Sequence, residues 1–234
     1  MGHKKLIRFE EIRHFPNVLQ HPPGMPGKWN SFFGNANPLT LELACGKGEY
    51  AVGLGSLYPN RNFIGVDLKG NRIWVGAKQA LQDGLSNVAF LRTQIEKLDQ
   101  YFGHGEVSEI WITFPDPQLR NSRAKKRLTH PRFLRMYSKI LKPDGLVHLK
   151  TDSPDLYNFT RLVCELYEIE IQQDIDDAHA SEQIIDELKI KTHYESLDIA
   201  NSNRVHYLQF RLPGEIPLEK DELLKRMLRN EAVC

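Results

Sequence analysis

Leu41-Glu-Leu-Ala-Cys-Gly46-Lys-Gly48-Glu-Tyr-Ala51 decides the fold, because it carries an apolar strand pattern into a helical one through a turn that holds two glycines. Leu39–Cys45 reads as a strand and Glu49–Leu57 as a helix. Between them, Gly46-x-Gly48-x-x-Ala51 fits the G-x-G-x-x-G/A turn that lets backbone approach a bound nucleotide. Asp67 follows about 20 residues on, at the end of a second strand (Asn62–Asp67), where an acid that binds ribose hydroxyls is expected.

The turn alone does not separate a dinucleotide from another adenosine cofactor. Glu42, inside the strand, tilts the choice: its charge suits a cationic ligand group and gains little from a pyrophosphate. S-adenosylmethionine offers a sulfonium and an α-ammonium and no phosphate.

Outward from this unit the alternation continues: helix Asn71–Asp83, strand Val88–Thr93, a short helix near Ile95–Tyr101, strand Ile110–Phe114, helix Pro131–Leu141, strand Leu146–Thr151 and helix Pro154–Tyr167. Such spacing means βαβ units and a mostly parallel sheet with helices on both faces. The order then changes, and Ile169–Gln173 with Val205–Leu212 reads as a closing antiparallel pair. Leu218–Leu228 has the pattern of an amphipathic helix. Residues 1–37, polar and broken by His21-Pro-Pro-Gly-Met-Pro-Gly27, read as an N-terminal arm before a single α/β domain, 38–234.

Phe114-Pro-Asp-Pro117 sets Asp116 at the C-terminal edge of a strand, which the two prolines terminate and where open α/β sheets place ligand crevices. Immediately beyond come Arg120, Arg123, Lys125, Lys126, Arg127, Arg132, Arg135, Lys139 and Lys142, with no acid between Pro117 and Pro143. From Glu165 to Glu187 the bias reverses, with nine acids and no Lys or Arg, so a net charge of only +1 conceals a basic centre suited to a polyanion. A solvated helix face is the bland alternative for such a run; its position beside a proline-locked carboxylate favours phosphate binding.

At 234 residues and 41% hydrophobic content the chain can bury one sizeable core. Three scattered cysteines and nine unclustered histidines point to neither a disulfide framework nor a metal site. The charged N-terminus and the absence of a long apolar run lead to the expectation of a cytoplasmic protein without membrane contact.

Glu42-Leu-Ala-Cys-Gly-Lys-Gly48, Ile64-Gly-Val-Asp-Leu-Lys69 with Arg72-Ile73, Phe114-Pro-Asp-Pro117 through Lys125-Lys-Arg-Leu128, Thr151-Asp152 and Thr192-His-Tyr-Glu195 together resemble the tRNA (guanine-N7-)-methyltransferase family, in order, over about residues 40–212. The resemblance implies a class I methyltransferase (Rossmann-like) fold, S-adenosyl-L-methionine as methyl donor, tRNA as partner with no obligatory protein partner, and N7 of a variable-loop guanine as acceptor. It implies donor binding by Glu42, Gly46, Gly48, Asp67, Thr93, Gln94 and Asp116, with Asp116 as the central acid. Asp152, Thr192, His193, Tyr194 and Glu195 match its guanine- and tRNA-contacting positions. The basic run reads as a grip on the phosphate backbone, with Arg120, nearest Asp116, at the phosphate flanking the target guanosine and Arg123, Lys125, Lys126 and Arg127 along the backbone.

Three departures stand out. Ala44 replaces a frequent glycine, Thr93-Gln94 replaces a frequent Asp-Ala, and Gln118-Leu119-Arg120 replaces Trp-Pro-Lys, losing the aromatic while keeping the cation. A nicotinamide-dependent oxidoreductase would share the glycine turn and Asp67 but leaves the basic run without a purpose. A non-catalytic RNA-binding protein would have no need of the donor residues. Amino-group methylation on DNA or protein would call for Asp-Pro-Pro-aromatic where Pro115-Asp-Pro-Gln118 stands.

Overall fold

The computed structural model describes residues 2–180, 185–193, 195–197 and 204–230. Among these, the strands are β1 (Val18–Gln20), β2 (Leu39–Leu43), β3 (Asn62–Asp67), β4 (Val88–Arg92), β5 (Val107–Thr113), β6 (Leu141–Thr151), β7 (Glu170–Ile175) and β8 (His206–Arg211). They form one sheet in the order β1-β4-β3-β2-β5-β6-β8-β7. All pairings through β6 are parallel, whereas β8 runs antiparallel to both β6 and β7. After β2 the chain builds outward through β3 and β4, then returns to β2's other side as β5. The crevice at this switch point lies at the C-terminal ends of β2 and β5.

The helices are α1 (Gly2–Glu11), α2 (Trp29–Phe33), α3 (Glu49–Leu57), α4 (Gly70–Gln82), α5 (Pro131–Ile140), α6 (Pro154–Leu166), α7 (Asp186–Lys189) and α8 (Asp221–Asn230). Because strand side chains alternate between faces, each central strand feeds two cores. Leu41, Leu43, Ile64, Val66, Ile110 and Ile112 pack with Leu134, Tyr137 and Phe159 of α5 and α6. On the opposite face, Phe63, Phe90 and Trp111 pack with Tyr50, Ala51, Ile73 and Ala77 of α3 and α4.

The segment read as an arm is built into this body. Val18 pairs with Phe90 at the sheet edge, Ile12 and Trp29 are fully buried, and the Trp29 indole donates to the Tyr101 carbonyl at 2.9 Å while stacking on Phe102. A three-residue strand among polar neighbours carries too little alternation to be read from sequence. The helix expected near Ile95–Tyr101 is a 3-10 helix, Ile95–Gln100. The strand expected from Leu146 starts at Leu141 and passes an irregularity, Val107 pairing with Leu141 but Glu109 with Leu146.

α4 presses its Gly76 against the glycine turn: a Cβ there would stand 2.4 Å from the Lys47 carbonyl oxygen and 3.2 Å from the Gly48 Cα. Glycine inside a helix ordinarily costs about 0.5–1 kcal/mol relative to alanine. At this position the sign reverses, and Gly76→Ala is expected to destabilise the protein by about 1–3 kcal/mol through overpacking. A denaturant midpoint equal to or above the parent's would show that the turn has room to move.

Candidate active site

A cleft of about 720 Å³ opens at the switch point, bordered by Ala44, Asp67, Phe114, Asp116, Leu119 and Asp152. The turn leaving β2 enters the left-handed region at Ala44 (φ 55°), Gly46 (φ 56°) and Gly48 (φ 71°). A Cβ on Gly48 would lie 2.3 Å from the Phe90 ring, so glycine is required there by both conformation and space. Ala44 adopts the same region with a Cβ, at a steric cost of roughly 1–2 kcal/mol that a glycine would avoid. Asp67 braces the turn from β3: its Oδ2 accepts the Gly46 N–H at 2.9 Å and its Oδ1 the Lys69 N–H at 2.7 Å.

Glu42 lies beneath the turn, 3% exposed. Oε2 accepts the Ala51 N–H of α3 at 2.8 Å, and the Thr113 hydroxyl at the end of β5 donates to Oε1 at 3.0 Å. Burial pushes its carboxyl from 4.5 up to about 8, outweighing these two hydrogen bonds, with Glu49 and Asp67 adding repulsion. Thr93 donates its N–H to the Asp67 carbonyl at 3.1 Å, and its fully buried hydroxyl has no hydrogen-bond partner among the described residues. Gln94 is exposed just beyond it, and neither residue borders the cleft.

Asp116 is exposed and faces the cleft. Phe114 (φ 46°) directly precedes proline in a conformation that proline disfavours, so the surrounding structure must hold it. Its N–H donates to the Lys150 carbonyl at 2.8 Å. Asp116 Oδ1 accepts the Gln118 N–H at 3.0 Å, forming an Asx turn that carries Gln118 through φ 48° and leaves Oδ2 for a ligand. Arg127 sets this loop from below, and it is not available as one of the backbone-binding cations expected from sequence. It is 3% exposed, stacks over Phe159, and donates to the carbonyls of Pro117 at 3.2 Å, Gln118 at 3.3 Å and Leu119 at 3.3 Å.

The rest of the basic run divides in two. Arg132 pairs with Glu96 at 3.2 Å and Arg135 with Asp221 at 2.6 Å. Arg120, Arg123, Lys125 and Lys126 are exposed on and beside the 3-10 turn Asn121–Lys126, next to the Asp116 loop.

Thr192 and Glu195 meet each other. The Glu195 N–H donates to the Thr192 hydroxyl at 3.1 Å, and Glu195 Oε2 accepts the Thr192 N–H at 3.4 Å, the reciprocal pattern of a capping box. Neither residue borders the cleft directly; His193 is exposed, and Tyr194 lies outside the described residues. Lys150 is the site residue that sequence reading missed. Fully buried behind Phe114, its ammonium donates to the Leu188 and Ile190 carbonyls and to Glu195 Oε2, each at 2.9 Å. A lone lysine in the apolar strand Leu146–Thr151 was the available signal, since a buried cation needs a partner. Lys150→Met leaves Glu195 without that countercharge and is expected to cost about 3–5 kcal/mol, part of which Lys150→Met/Glu195→Gln recovers. Equal chemical denaturation curves for Lys150→Met and the parent would make the pair dispensable.

Residues 36–208 match a family described as "Putative methyltransferase". The tRNA (guanine-N(7)-)-methyltransferase of Bacteroides thetaiotaomicron is 44% identical over 232 residues, covering 95% of this chain and 91% of the relative. That of Porphyromonas gingivalis is 48% identical over 220 residues, covering 89% of each. Among solved structures, the 16S rRNA (adenine(1408)-N(1))-methyltransferase from Catenulisporales acidiphilia shares the fold with a TM-score of 0.60 at 16% identity, over 82% of this chain and 95% of that one. At this identity over nearly the whole of both chains, and with the family match spanning residues 36–208, the chain belongs to the tRNA (guanine-N7-)-methyltransferase family of class I methyltransferases.

Proposed function

We propose that this chain transfers the methyl group of S-adenosyl-L-methionine to N7 of a guanine in the tRNA variable loop. The observation that carries the reading is a separation of charge: the cleft is bordered by Asp67, Asp116, Asp152 and Asp155 against Lys69 and Arg72, while exposed cations with no acidic partner among the described residues crowd the adjoining turn. An acid-rich cleft favours a cationic small ligand and opposes a pyrophosphate, which argues against a nicotinamide dinucleotide. The exposed cations favour a polyanion.

The residues present fit the donor. Gly46 and Gly48 bring backbone close to an adenosine, Asp67 suits ribose hydroxyls, and the uncompensated Glu42 suits positive charge. When bound, the donor supplies an electrophilic methyl on a sulfonium. Guanine N7 has an in-plane lone pair, unprotonated at neutral pH, so no residue must first remove a proton and orientation dominates the rate. Asp116 accepts from the guanine N1–H and N2–H edge, which selects guanine over adenine and stabilises the cationic 7-methylguanine as it forms. Leu119, 62% exposed at the cleft rim, offers the apolar surface that the family's aromatic supplies elsewhere. In this reading Asp152 meets the base from the other side, Arg120 the flanking phosphate, and Thr192 and Glu195 brace the wall behind Phe114.

Incubation with unmodified tRNA and methyl-labelled donor is expected to place label in 7-methylguanine; label in another nucleoside, or none, overturns the reading. Asp116→Asn keeps the turn to Gln118 but not the charge, and is expected to slow single-turnover methylation about 100-fold.

Glu42 adds a pH signature. Its folded value of about 8 exceeds 4.5, so between these limits the folded chain binds more protons than the unfolded one, and the group's contribution to stability falls as pH rises through that window. A cationic donor favours the carboxylate. Calorimetric titration in buffers of different ionisation enthalpy should therefore register net proton release near neutral pH, absent in Glu42→Gln. Equal release from both proteins would place the proton elsewhere.

A further inference from the structure

Helix α8 lies beyond residues 36–208, the stretch that matches the family, yet it is firmly joined to the body. Leu224 and Leu228 are 1% and 6% exposed within the main core. Asp221 accepts from the Arg135 guanidinium and from the Tyr167 hydroxyl, both at 2.6 Å. Asn121, the first residue of the basic 3-10 turn, donates its side-chain amide to the Leu228 carbonyl at 2.6 Å. The helix and the cation-bearing turn are thus tied at their contact line.

Between them lies a hollow of about 570 Å³ whose border includes Lys125 from the turn and Lys225 and Arg229 from α8. Residues 225 and 229 are one helical turn apart, so their side chains share a face. Arg229 is exposed, with no side-chain partner among the described residues. Lys225 meets Glu222 at 3.1 Å in an exposed pair of the kind that contributes little. The hollow's other acid, Asp221, is already neutralised by Arg135. Positive charge therefore dominates, over a floor made by Leu224 and Leu228.

We infer that α8 forms a second wall of the RNA-binding surface, with Lys225 and Arg229 each neutralising a backbone phosphate of the tRNA that Arg123, Lys125 and Lys126 grip from the other side. This rests on the reading of tRNA as substrate and extends it to a helix that the family match does not include. Charge complementarity selects the partner, because backbone phosphates satisfy cations without requiring base contacts.

The test is tRNA binding by fluorescence anisotropy across a salt series, comparing the parent with Lys225→Gln/Arg229→Gln. Both side chains are exposed, and an unchanged melting temperature verifies the fold. The slope of log affinity against log salt is expected to flatten by about 1.4–1.8, at roughly 0.7–0.9 per phosphate contact, and KM for tRNA to rise about tenfold. A parental slope and KM overturn the proposal. Lys125→Gln/Lys126→Gln separates the two levels: if it alone flattens the slope, tRNA binds the turn without α8. If the parent itself fails to bind tRNA, the functional reading has failed. If α8 instead docks a protein, the tRNA slope stays at the parental value, which counts against the proposal.

Discussion

A carboxyl group with no countercharge among the described residues holds the centre of this molecule. Glu42 sits at the end of β2, takes its hydrogen bonds from α3 and from β5, and thereby joins the strands on either side of the switch point to the helix that follows the glycine turn. Burial keeps it protonated near neutrality, which lets an acid occupy the interior without a permanent ion pair. Glu42 itself does not border the cleft; it lies beneath the turn that does, through Ala44.

The cleft and the turn beside it differ in sign, and buried cations keep both in place. Lys150 holds Leu188, Ile190 and Glu195 behind Phe114, and Arg127 holds the carbonyls of the Asp116 loop. Both side chains are satisfied by internal acceptors, which is what allows a cation to stay buried. The basic run is thus partly scaffold and partly contact surface. Its members are distinguished by what surrounds them and not by their chemistry.

The central alternation was legible because parallel strands and their crossover helices impose strong, distinct periods; Asn62–Asp67 and Glu49–Leu57 stand at their expected bounds. The glycine turn was legible too, since two glycines at this spacing after a strand mark a strand-to-helix turn, and Asp67 at the end of the next strand reaches its Gly46 N–H. Three things were hidden. β1 is too short to alternate, Lys150 needed partners about 40 residues away in the chain, and Arg127 looked like its neighbours until its burial was known. Thr192-x-x-Glu195 did carry a local signal, the capping-box pattern, although the family resemblance directed attention to substrate contact.

The Arg127 contacts have a consequence for substrate choice. Because one rigid guanidinium hydrogen-bonds Pro117, Gln118 and Leu119 to the base of the cation-bearing turn, the distance from the acid at the cleft to the proposed phosphate-binding cations is held by these contacts and not left to a flexible linker. The enzyme then carries a fixed gauge. A nucleic acid engages both ends only if its target base, turned out of the stack, stands at the matching distance from its own backbone. Discrimination of this kind depends on the shape of the folded RNA, so it can operate on many tRNA sequences without reading any of them.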